Sequence, residues 1–152
     1  MKDLIGVLVV FVMLCSAIFL LLKQVNTTSA TESNRSVSEE HLWKKVNEWR
    51  KSSLLKEYIK DDLLCKYASI RLQDIRSNFD HSDFNDDISK QIFHEYNYTE
   101  LGENLAKDYQ LEEQIIINWL TSPPHYKNLI DNFTHSCIKC EDSYCVQLFA
   151  KL

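Results

Sequence analysis

The sequence predicts an α+β domain behind an apolar N-terminal segment. Three observations carry that expectation: apolar residues recur at helical intervals through much of residues 39–121, a strand-rich run closes the chain, and residues 4–22 contain no charged side chain. The 152 residues leave room for about one soluble domain of ordinary size. A hydrophobic fraction of 45% beside 26% charged residues suits a packed core.

The segment Leu4 to Leu22 is close to the length that crosses a bilayer as a helix. Lys23, Gln24 and Val25 follow it, and the next Ala is Ala30. That flank favours an uncleaved membrane anchor over residues 1–23 above a cleaved signal peptide. Cys15 reads as one more apolar residue of the span, because Leu14 stands where lipid attachment wants a small side chain. Residues 24–38 are rich in Thr, Ser, Asn and Glu and read as a flexible tether. The folded domain is expected over residues 39–152.

The chain carries a formal charge of −5, and residues 1–23 account for +1 of it (Lys2 and Lys23 against Asp3), leaving the rest at −6. Such a surface repels phosphate backbones, and no cluster of Lys and Arg interleaved with aromatics offsets it, so no nucleic-acid partner is expected.

Within the domain, Leu42, Val46 and Trp49 follow the capping candidate Ser38 at helical spacing and predict a first helix to about Arg50. A second follows Asp61 and Asp62, with Leu64, Ala68, Leu72 and Ile75 on one face. Ile88, Ile92 and Phe93 suggest a shorter third. Leu111, Ile115, Trp119 and Leu120 mark a fourth, with Glu112 and Glu113 where the helix dipole favours acids. After the Glu141-Asp142-Ser143 turn, Cys145 to Ala150 is rich in strand formers, and with Ser136 to Lys139 it reads as a terminal hairpin.

Glycine and proline single out two places. Gly102 is the one glycine after the apolar segment, and Pro123 and Pro124 are the chain's two prolines. Both places are expected to be special turns. Each carries an ionisable neighbour, Glu103 and His125. Ser122 reads as the cap of a short helix with Pro123 first, which puts His125 in the first turn, where the dipole disfavours imidazolium. His41, His94 and His135 read as surface residues, and Trp119 as core.

The stretch Leu101-Gly102-Glu103-Asn104-Leu105-Ala106, then Trp119 with Ser122-Pro123-Pro124-His125 and Asn128, then Val146-Gln147-Leu148-Phe149, resembles the CAP superfamily of cysteine-rich secretory proteins, venom antigens and plant pathogenesis-related proteins, in its short microbial form. Val46 to Arg50 resembles that family's opening helix, and Ala68 to Asp74 with Phe79-Asp80-His81 resembles its second helix and first histidine. The likeness spans about residues 39–152. It implies an α-β-α sandwich, a small antiparallel sheet flanked by helices, with a cleft lined by two histidines and two acids. By motif these are His81, His125 and Glu103, and Asp86, Asp87 and Glu95 stand open for the second acid.

Two imidazoles and a carboxylate are a donor set for Zn²⁺ with an open position for water, so zinc is the candidate cofactor and His81, Glu103 and His125 its candidate ligands. The set lacks an identified base, nucleophile and oxyanion site. The expectation is therefore a non-enzymatic binding module for a lipid, peptide, glycan or protein, with a zinc-dependent hydrolase or protease as the alternative. Ser122 is assigned to capping, not to nucleophilic attack through His125. Beyond the apolar segment stand Cys65, Cys137, Cys140 and Cys145, an even number that suits disulfides and a domain outside the cytoplasm, membrane-held or secreted. Three pairings are open, a Cys137–Cys145 bridge would staple the hairpin, and the Cys137-x-x-Cys140 pair allows a zinc-binding alternative.

Overall fold

The computed structural model describes residues 36–152. The anchor expected at residues 1–23 and nearly all of the tether lie outside the described residues. Among the described residues no helix is long and apolar enough to cross a membrane.

Helix α1 (Glu39–Ser52) begins where the sequence places it: the Ser38 side chain accepts from His41 N, acids fill the first turn and Arg50 and Lys51 the last. A two-residue strand β1 (Ile59–Lys60) leads to α2 (Asp62–Ser77), capped by Asp61, whose side chain accepts from Leu64 N. The third helical region has two parts, a π-helical turn at Phe84–Ile88 and α3 (Ser89–Glu95). Ile88 and Ile92 are buried there, whereas Phe93 is exposed. Strand β2 (Glu100–Lys107), α4 (Glu112–Thr121), α5 (Pro123–Ile130) and the hairpin β3 (His135–Glu141) and β4 (Tyr144–Lys151) complete the domain.

The four strands form one sheet in the order β1-β3-β4-β2. The hairpin and the β2–β4 pair are antiparallel, but β1 joins β3 in parallel, so the sheet is mixed, not purely antiparallel. Helices cover both faces. On one, Leu64, Ala68, Leu72 and Ile75 of α2 pack with Ile92 over Leu105, Cys137, Val146 and Leu148. On the other, Leu42 and Val46 of α1, Ile115 and Trp119 of α4 and Leu129 of α5 pack over Ala106, Ile138 and Phe149. Trp119 is fully buried, and its Nε1 donates to Leu105 O at 2.9 Å.

The Gly102-Glu103-Asn104 motif is strand, not turn. All three residues sit inside β2, and Gly102 has no positive φ. The glycine is there for space: a Cβ at that position would stand 3.0 Å from Phe133 Cζ and 3.2 Å from Asn128 Oδ1. Phe133 is itself stacked on Phe149, with ring centroids 5.4 Å apart, so it has little room to yield.

The four cysteines form two disulfides, Cys65–Cys137 and Cys140–Cys145. A Cys137–Cys145 bridge is ruled out by register: Cys137 stands opposite Leu148, and Cys140 opposite Cys145. Alternation along β3 also turns Cys137 toward the α2 face, where it meets Cys65. With all four sulfurs bonded, the Cys-x-x-Cys pair is not a zinc knuckle.

The two bridges close loops of very different length, with separations of 72 and 5 residues. Chain-entropy arithmetic then predicts that Cys65→Ser/Cys137→Ser lowers unfolding stability by about 4 kcal/mol and Cys140→Ser/Cys145→Ser by about 2 kcal/mol. Urea midpoints of the two double variants, read under oxidising conditions, check the order.

Candidate functional site

Strand β2 is an edge of the sheet, and the site is built around its centre. Side chains alternate across β2, so Glu103 faces α2 while Gly102 and Asn104 face α5. Glu103 Oε2 accepts from Arg71 Nε at 2.7 Å, and Glu103 Oε1 lies 2.7 Å from His81 Nδ1. The Glu103 side chain is 1% exposed, the Arg71 side chain 0% and the His81 side chain 47%. A carboxylate oxygen only accepts, so Nδ1 of His81 carries the shared hydrogen, and in a neutral ring Nε2 keeps the lone pair.

Arg71 was not among the residues singled out from the sequence. It donates from Nη2 to the Asp80 carbonyl, next to His81, and its Nη1 lies 3.7 Å from Asp83 Oδ2 without a hydrogen bond of its own. The signal for it was present. Leu64, Tyr67, Ala68, Arg71, Leu72 and Ile75 all fall on the buried stripe of α2, and an arginine on such a stripe implies an acid facing it.

On the other side of β2, Asn128 Nδ2 donates to Glu103 O at 3.0 Å and Asn104 Oδ1 at 2.9 Å, and Asn104 Nδ2 donates to His125 O at 3.2 Å. These bonds fix α5 against the strand and bring the His125 ring to 6.1 Å from the His81 ring, centroid to centroid. His125 Nδ1 is buried and makes no hydrogen bond. Burial holds the His125 pKa below its ordinary value, and the neighbouring His81 pushes it the same way while Glu103 opposes. The direction agrees with the neutral ring expected from the sequence, but desolvation, not the helix dipole, leads the causes.

Ser122 precedes α5 as expected but makes no side-chain cap bond. Part of the reason is chemical: Pro124 at the second helical position carries no N–H, which removes one of the two backbone donors a cap side chain accepts from. Of the residues open for the second acid, Glu95 is committed to Tyr67 Oη at 2.6 Å and Lys66 at 3.2 Å, and Asp87 is exposed on the π-helical turn. Asp83, outside that set, is a second acid beside Arg71 after Glu103, with its Oδ2 3.7 Å from Nη1. Other concavities lie away from these residues, one of about 530 Å³ lined by Leu54, Ile59, Ile130 and Phe133 and one of about 380 Å³ between α1 and α4.

As a zinc centre the set is incomplete. The orphaned His125 Nδ1 and His81 offer two imidazoles, but both Glu103 oxygens are engaged, and a zinc site needs three or four protein ligands. Among the described residues no group of three or more His, Cys, Asp or Glu is arranged to hold a metal ion.

A sequence model of the cysteine-rich secretory protein family, CAP, matches residues 43–149. The chain belongs to this family. Within it, the chain is 30% identical over 118 residues to the uncharacterized protein YkwD of Bacillus subtilis, covering 74% of this chain and 46% of that one. It thus spans less than half the length of that relative. An extracellular protein of Bacillus anthracis that contains an SCP domain superposes with a TM-score of 0.66 at 20% identity, over 75% of this chain and 40% of the other. An outer surface protein of Borrelia burgdorferi does so with a TM-score of 0.65 at 24% identity, over 74% and 90%. These likenesses establish the CAP fold.

The lowered His125 pKa gives a pH prediction with a definite sign. The unfolded chain takes up this proton near pH 6.5, and the folded protein only at lower pH. The stability from this group is therefore complete above about pH 6.5 and is lost as pH falls through the folded value. Urea midpoints measured from pH 7.5 to 5 are expected to fall less steeply for His125→Gln than for the unaltered chain.

Proposed function

We propose that this CAP protein is a non-enzymatic binding module outside the cytoplasm, held at the membrane by residues 4–22 or released from it, whose ligand seats against His81 and His125. Two disulfides suit an oxidising compartment, and relatives described as extracellular or outer-surface proteins support the location.

The observation that carries the reading is the engagement of Glu103. A carboxyl group with one oxygen on Arg71 and the other on His81 positions an imidazole, and it is not free to take a proton from water. Nor does Ser122 hydrogen-bond to His125 to become a nucleophile. What remains is a pair of imidazole edges on a rigid, disulfide-tied support. They suit a ligand with hydrogen-bonding groups, a peptide or a glycan, better than a bare acyl chain.

The test is a screen of the full chain against peptide and glycan arrays, paired with peptide and ester hydrolysis assays in zinc-containing buffer. His81→Ala and His125→Ala are each expected to weaken the ligand found by about tenfold, the scale of one hydrogen bond lost at a binding face. Turnover by the unaltered chain that both variants abolish would replace the binding reading with an enzymatic one.

A further inference from the structure

Any cation bound to Glu103 would share its carboxylate with Arg71. The guanidinium is fully buried and anchored on two sides, by its bond to Glu103 at 2.7 Å and by its donation to the Asp80 carbonyl, with Asp83 3.7 Å away on a third. The guanidinium is a fixed positive charge. A divalent ion reaching for Glu103 would have to displace that guanidinium, and a second positive centre in the same water-poor space is repelled by it.

We propose that Arg71 is the residue that decides cation selectivity at this site. It supplies from within the chain the positive charge that a metal would bring, keeps Glu103 out of any metal shell, and makes the His81–His125 face independent of metal. His125 Nδ1, buried and unpartnered, and His81, bonded through Nδ1, are then two imidazoles short of a third donor. Without the guanidinium, Glu103 is freed to add a carboxylate to the two imidazoles, and the three side chains, which do not converge as they stand, would have to shift together to hold zinc. The inference stands apart from the identity of the organic ligand.

The experiment measures zinc affinity of the full chain, purified in a nonionic detergent, by competition with a chromophoric chelator at pH 7.5. Arg71→Met is expected to bind zinc at least about tenfold more tightly than the unaltered chain, the scale on which groups around a metal site tune its affinity. The double variant Arg71→Met/Glu103→Gln is expected to lose that gain. Arg71→Met binding zinc no better than the unaltered chain would overturn the proposal. Should Arg71→Met fail to fold, Glu103→Gln alone decides. Unchanged zinc affinity within about twofold supports exclusion of Glu103 from the metal shell, and a tenfold loss shows Glu103 ligating despite Arg71 and ends the proposal.

Discussion

A guanidinium withdrawn from water on α2 and a carboxyl withdrawn from water on β2 meet at 2.7 Å, and the arrangement of the site depends on that meeting. Each charge alone would carry a desolvation cost of several kcal/mol. Together they tie α2 to the edge strand β2, and Arg71 extends the constraint to the segment after α2 through the Asp80 carbonyl. His81 is the next residue, so the cation that neutralises Glu103 also delivers the imidazole that Glu103 orients. Replacing the pair by apolar residues of equal volume need not destabilise the fold, but it would remove the one element that places His81.

The opposite face of β2 answers with neutral groups. Asn104 and Asn128 bind the strand to α5 through three hydrogen bonds, and the Gly102 backbone, lacking a Cβ, lets Phe133 and Asn128 approach. A single strand thus sets both histidines, one through a charged contact and one through amides. The disulfides act farther out: Cys65–Cys137 ties α2 to the sheet, and Cys140–Cys145 closes the hairpin. This scaffold holds its side chains in place through internal contacts, and preorganisation of that kind serves binding as well as it serves catalysis.

The local signals in the sequence located α1, α2, α4 and the hairpin because each rests on neighbouring residues: Ser38 and Asp61 as caps, heptad-like apolar spacing, an acidic turn before the last strand. Strand β2 escaped because Gly102 to Ala106 are all buried, so no alternation marks it, and Gly, Glu and Asn are weak strand formers. Glu103 and His125 stood out in the sequence beside the lone glycine and the proline pair, whereas His81 stood out only through family resemblance. The disulfide pairing depended on strand register, which sequence does not display. Arg71 went unread although it sat on an otherwise apolar stripe. A charged residue on the buried face of an amphipathic helix is a request for a partner, and here the partner was the family's own glutamate.

The central claim, that Arg71 and Glu103 act as one unit, is tested most directly by a double-mutant cycle of unfolding free energies with Arg71→Met, Glu103→Gln and the two combined. The account predicts a coupling of about 2 kcal/mol or more, with the double variant more stable than the sum of the single losses implies. Additivity within about 0.5 kcal/mol would contradict it, because two residues that add independently do not share a buried ion pair.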